Sequence, residues 1–135
     1  MLKFILYIIS LLKDPKTYKW AGVGLLALAG DYGLYNYLLG IIGMDLAKLC
    51  ATFVGVNISF NLNRIWTFKS NGTFFEDLKR YMALYLVAII VNVSVNNLAF
   101  RILEDIDLAY IAALFVSVTI GYFGQRLWVF KNRTN

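Results

Sequence analysis

The sequence has no histidine, a single cysteine and a single proline among 135 residues, and only 16% of it is charged. With no histidine and with Cys50 alone, a His/Cys metal site, a disulfide framework and a Ser-His or Cys-His catalytic arrangement are all excluded within one chain. Cys50 is expected simply as a small lipid-facing or core residue. So few charges also leave too little polar surface for a water-soluble domain. Hydrophobic residues make up 60% of the chain and the mean hydropathy is +0.65, outside the ordinary soluble range. The net charge of +5 does not point to nucleic acid, because the basic residues flank apolar runs and form no RNA- or DNA-binding motif. The composition implies an all-α integral membrane protein.

What is present is a repeat. Asn63-Arg64-Ile65-Trp66-Thr67-Phe68-Lys69 returns as Gln125-Arg126-Leu127-Trp128-Val129-Phe130-Lys131. Upstream, Ala51, Phe53, Val54, Val56 and Ile58 match Ala113, Phe115, Val116, Val118 and Ile120, as expected of an internal duplication. Apolar runs resemble one another by composition alone. The Arg-x-Trp-x-Phe-Lys endings carry more weight, because they fix polar and aromatic residues in one order.

Four runs of spanning length are expected at about 19–40, 46–68, 79–102 and 108–130, each near the 20 or so residues that a bilayer requires. Short links within each pair make two helical hairpins in parallel repeat, so residues 17–135 form a four-helix transmembrane domain with a pseudo-two-fold axis along the membrane normal. Residues 1–16 are too short to span and are expected as an N-terminal interfacial helix. Asp45 and Asp107 are expected to cap the second and fourth helices. Lys3, Lys13, Lys16, Lys19, Arg64, Lys69, Lys79, Arg80, Arg126, Lys131 and Arg133 fall on one side, against Lys48 and Arg101 on the other. That bias places both termini in the cytoplasm, with the chain in the inner membrane.

Depth follows from a rise of about 1.5 Å per residue. Counting from Lys19 and Arg80, Asp31 and Asn92 lie about 18 Å deep; counting from Phe68 and Phe130, Asn57 and Thr119 reach about 16 Å. Each helix thus contributes one polar residue to a common level near the midplane. Asn57, Asn61, Arg64 and Phe68 share one face of the second helix by α-helical spacing, as do Tyr81, Tyr85, Asn92 and Asn96 on the third. These stripes lead from the cytoplasmic side toward that level.

Arg64 and Arg126 have two readings: basic side chains that snorkel to the interface, or guanidinium groups that hold a phosphate through paired hydrogen bonds. Trp66 and Trp128 are either aromatic-belt anchors or platforms on which a sugar stacks. Asp31, an ionisable residue near the membrane centre, costs at least about 2.5–3.5 kcal/mol on insertion scales and so needs polar surroundings. It is expected either protonated or hydrogen-bonded to Asn57 and Asn92. Polar glue between helices is the structural alternative.

With the motifs Asn63-Arg64-Ile65-Trp66-Thr67-Phe68 and Gln125-Arg126-Leu127-Trp128-Val129-Phe130, the chain resembles the GtrA-like family of small four-helix membrane proteins over about residues 17–131. Gln125 departs from the asparagine of the first copy. The resemblance implies translocation of a polyprenyl-phosphate-linked monosaccharide, such as undecaprenyl-phosphate glucose, to the outer leaflet for polysaccharide or glycolipid glycosylation. Arg64 and Arg126 would then hold the phosphate, and Asp31, Asn57, Asn61, Asn92 and Asn96 would shelter the sugar, since asparagine both donates and accepts. No cofactor and no metal are expected. No nucleotide-binding motif is present, so movement would follow a gradient or couple to an ion through Asp31.

Three rivals stand beside this reading. One is a membrane scaffold that recruits a glycosyltransferase without moving lipid. Another is a small multidrug-type exporter, whose dual-orientation forms lack the strong charge bias seen here. The third, an enzyme, is disfavoured because one buried acid without a nucleophile or metal partner makes no active site. Four helices scarcely enclose a sugar phosphate, so a homodimer is expected, with Gly22, Gly24 and Gly30 as candidate close-contact positions, either between subunits or in packing within one.

Overall fold

The computed structural model describes residues 2–132. Met1 and residues 133–135, which include Arg133 of the charge count and the outer ends of the expected segments 1–16 and 17–135, lie outside the described residues. Among the described residues every regular element is helical, and the chain divides into two compact units, Met1–Lys69 and Ser70–Asn135.

In the first unit, α1 (Leu2–Lys13) occupies the segment expected as a short helix. Asp14 then starts α2 (Pro15–Ile42): its backbone is extended and its carboxylate accepts the Lys16 N–H at 2.8 Å. Pro15 fills the first helical position, where its missing N–H leaves no bond unmade. The Thr17 hydroxyl donates to the Leu11 carbonyl at 2.6 Å, pinning the corner between the helices. With 28 residues, α2 is about 42 Å long. Gly43 stops it at φ 83°, a conformation that glycine adopts without a Cβ penalty.

Gly43 is also the N-cap of α3 (Met44–Leu62), which has no side-chain cap. The expected Asp45 cap is therefore corrected. Asp45 lies already inside the first turn, where its charge still complements the helix N-terminus.

α2 and α3 pack through small residues. Ala47, Ala51 and Gly55, four apart, are buried, and a Cβ on Gly55 would stand 3.1 Å from the Ala27 carbonyl oxygen. In an apolar solvent such close backbone approach, rather than a hydrophobic drive, brings helices together. Of the glycines expected in this role, Gly30 meets Ile58, while Gly22 and Gly24 have open space beside them.

The second unit repeats the plan. Thr73 caps α4 (Phe74–Leu103) by accepting the Glu76 N–H at 3.4 Å. Glu104 closes that helix in the left-handed region, and Asp105 turns extended to accept the Leu108 N–H at 2.9 Å at the start of α5 (Ile106–Gly124). The cap is thus Asp105 and not the expected Asp107, which lies within the first turn. Ala109 and Ala113 are buried on α5, and a Cβ on Gly124 would overlap the Leu84 side chain.

Among the described residues three helical stretches are long and apolar enough to cross a membrane: Pro15–Ile42, Phe74–Leu103 and Ile106–Val129. Leu25, Leu28, Ile90 and Phe115 stand outward on them, an apolar surface suited to lipid rather than water. The protein is a multi-pass membrane protein. The expected 46–68 span is helical as well, but α3 carries Asp45, Lys48, Asn57 and Asn61, which lower its apolarity below that of the other three.

Candidate functional site

Both copies of the repeated ending adopt the same unusual backbone. After α3 the chain continues as a π-helical turn, π1 (Asn63–Thr67), and after α5 as π2 (Gln125–Val129). The Asn63 carbonyl accepts the Phe68 N–H, and the Gln125 carbonyl the Phe130 N–H, each at 2.9 Å. An i+5 bond brings residue i+5 onto the face of residue i, which α-helical spacing would turn away. The result is one buried face made of Asn63, Thr67 and Phe68 in the first unit, and of Gln125, Val129 and Phe130 in the second. π-Turns of this kind frequently mark functional positions.

The arginines emerge beside these buried faces, and both are half-buried. Arg126 donates from Nη1 to the Tyr122 hydroxyl at 2.6 Å, one turn earlier on α5. Phe60, buried and without a hydroxyl, stands at the equivalent place before Arg64. The Arg126 guanidinium is therefore oriented by a partner that the first unit lacks.

Each unit also brings a cation from its first helix to the tryptophan of its π-turn. Lys19 Nζ lies over the Trp66 ring, 5.1 Å from its centroid, and Arg80 Nη1 donates to the Trp128 carbonyl at 3.3 Å. A cation there complements the negative end of a helix. The face of Trp66 that Lys19 covers is closed to a sugar, whereas both tryptophans keep about half of their surface, 47% and 46% exposed.

The polar residues deeper in the helices are not arranged as expected. Asp31 pairs with Lys48, whose Nζ lies 2.9 Å from Oδ1 and 3.2 Å from Oδ2, and its Oδ2 accepts the Thr52 hydroxyl at 3.5 Å. The expected partners are engaged elsewhere: Asn57 Nδ2 donates to the Phe53 carbonyl and Asn92 Nδ2 to the Ser117 hydroxyl at 2.9 Å. The charge bias along the sequence puts Lys48 on the far side. Its long stem carries the ammonium inward from there, a reach that counting backbone positions omits.

Asn57 and Asn61 do lie on one face: Asn61 Nδ2 donates to the Asn57 carbonyl at 2.9 Å, and both line an open hollow with Ile58 and Leu62. One N–H of each amide is engaged with its own helix, which leaves the second N–H and the carbonyl oxygen for a ligand. Asn96 lines another open hollow with Phe100, Ile106 and Ala109. Thr119 donates to the Phe115 carbonyl. On α4, Tyr81 and Tyr85 stack with centroids 6.4 Å apart, as their spacing predicts, and with Leu84, Ala88, Gly121 and Gln125 they enclose a cavity of about 30 Å³.

Two buried side-chain oxygens recur at the same place in the repeat, Asn63 Oδ1 and Gln125 Oε1, each without a hydrogen-bond partner. Buried polar atoms are normally satisfied. Here the substitution of glutamine for asparagine preserves an amide at the root of each π-turn.

Among the described residues no group of acidic, cysteine or histidine side chains is placed to hold a metal ion. Each unit thus gathers a guanidinium, a second cation, a buried amide and a tryptophan at its π-turn. The family model described as "GtrA/DPMS, transmembrane domain" matches residues 19–130. No curated protein matches the chain.

Proposed function

The chain belongs to the GtrA/DPMS transmembrane-domain family, and from that premise we propose that it moves a polyprenyl-phosphate-linked monosaccharide from the cytoplasmic to the outer leaflet for cell-surface glycosylation. The observation that carries this reading is the pair of π-turns, each presenting a half-buried arginine beside an exposed tryptophan. A partly desolvated guanidinium binds phosphate more strongly than one in water. In this reading α3 spans beside α2, the two units form hairpins of like orientation, and both termini face the cytoplasm of the inner membrane. Arg64 and Arg126 receive the phosphate, while the Asn57 and Asn61 oxygens and Asn96 accept sugar hydroxyls. The protein acts without a cofactor, as a carrier rather than an enzyme, and as a homodimer that completes a path too large for four helices.

The test is transbilayer movement of polyprenyl-phosphate monosaccharides in proteoliposomes that contain only this protein. Movement is expected, and a folded Arg64→Ala/Arg126→Ala variant is expected to lose it. Full movement in that variant would overturn the assignment.

One observation favours a second reading. Asn57, Asn61 and Thr119 each direct a donor to their own backbone, which suits a scaffold that binds a glycosyltransferase and moves no lipid. Co-purification of such an enzyme, with no lipid movement by the folded protein alone, would select it.

A further inference from the structure

Lys48 has no counterpart in the second unit. By the repeat, Asp31, Lys48 and Thr52 correspond to Asn92, Tyr110 and Leu114, and Asn92 makes a neutral bond to Ser117 instead. An ion pair between α2 and α3 is not required by the fold, since the second unit packs the same small-residue helices without one. Its two members are unequally placed. The Asp31 side chain is 20% exposed and the Lys48 side chain 59%, with its ammonium 5.8 Å from the Tyr35 ring centroid.

We propose that Lys48 is a second phosphate station, masked in the empty protein by Asp31, and this rests on the lipid-carrier reading above. An ammonium offers three donors and is a point-charge phosphate binder. Lys48 lies 16 residues before Arg64 on the same helical stretch, about 24 Å along its axis. One monosaccharide phosphate cannot touch both. They are successive stations, one at the π-turn and one toward the other end of α3.

The carboxylate gives the second station its purpose. A site that passes a ligand onward must bind it weakly enough to release it. Asp31 is a tethered competitor that fills Lys48 when no phosphate is there, and so lowers its affinity for any external anion. When a phosphate displaces it, the carboxylate keeps the Thr52 hydroxyl, which already donates to it. The sugar of the incoming headgroup would meet Tyr35 beside the ammonium.

Removing the competitor should strengthen binding. Dodecyl phosphate in detergent is titrated against the wild-type chain, Asp31→Asn, Lys48→Gln and the double variant, with circular dichroism and melting used to accept only folded proteins. Asp31→Asn is expected to bind about tenfold tighter, a difference of about 1.4 kcal/mol, and Asp31→Asn/Lys48→Gln to lose that gain. No gain in folded Asp31→Asn, or a gain that persists in the double variant, overturns the station. A gain of equal size with inorganic phosphate overturns its assignment to a lipid headgroup. Repeating the titration with Arg64→Ala/Arg126→Ala as background separates the two proposals. A Lys48-dependent gain there, together with no lipid movement by the folded wild-type chain in proteoliposomes, would leave the station standing and remove the carrier.

Discussion

The first unit holds a charged pair, Asp31 with Lys48, where the second holds a neutral one, Asn92 with Ser117. The ends of the units differ in the opposite sense: the second orients its arginine through Tyr122, and the first has Phe60 at that position. The shared parts are the two packed helices, the buried face of the π-turn, the amide at its root, and the cation brought to its tryptophan. These parts define the architecture. In the proposed carrier the unshared parts are those that hold or pass on the ligand, so the duplication keeps one scaffold and varies its polar groups between the copies.

The comparison is broken most severely by giving the second unit the acid of the first. Asn92→Asp, at the residue that now bonds Ser117, should cost up to about 2.5–3.5 kcal/mol of insertion free energy, read as a fall in membrane-integrated protein. Adding Tyr110→Lys, which restores the partner that Asp31 enjoys, should recover part of it. Next in size are changes to the shared packing. Gly55→Val drives a side chain into the Ala27 carbonyl and Asp31 Cβ, and overpacking of this kind costs about 1–3 kcal/mol; thermal unfolding in detergent should reveal it, with Gly33→Val, which has open space, as the quiet control.

A finer change makes the second unit resemble the first. Tyr122→Phe removes the hydroxyl that holds Arg126 and should change alkyl-phosphate affinity by about 1 kcal/mol, the scale of one hydrogen bond, measured with Arg64→Ala as background so that only Arg126 is read. An unchanged affinity would mean that the hydroxyl does not set the guanidinium's availability. The smallest effect belongs to Lys19→Gln, which removes an ammonium from the Trp66 ring. It should shift stability by about 0.5–1 kcal/mol, Lys19 being only half-buried, and Trp66 fluorescence should change with it.

The repeated endings, the helical class and the approximate extent of all four long helices were legible because periodicity and apolar run length report them directly. The family was legible from the same endings. The caps were less so: Asp105 and Asp107 are both plausible in sequence, and only the left-handed Glu104 before them decides which one turns extended. The π-turns were invisible to counting that assumes α-helical spacing throughout. That assumption put Phe68 on the stripe with Asn57 and Asn61, whereas the i+5 bond turns it into the buried face with Asn63. Lys48 is not legible as the partner of Asp31 when depth is counted at the backbone, and the small-residue series Ala47, Ala51 and Gly55 is hidden inside an apolar run; of the glycines named on α2, Gly30 alone has a neighbour within the chain close to where a Cβ would stand, besides any contact with a second copy.

The π-turn also bears on descent. A helix that closes one bond to the fifth residue instead of the fourth accommodates one residue more than α-helical winding would require, much as an insertion does. This chain carries that surplus twice, at Asn63–Thr67 and at Gln125–Val129, in the same place relative to the arginine, the tryptophan and the phenylalanine. Two independent insertions at matching positions would be a coincidence. The simpler history is a single one in an ancestral half-length chain, already fixed when that chain was doubled.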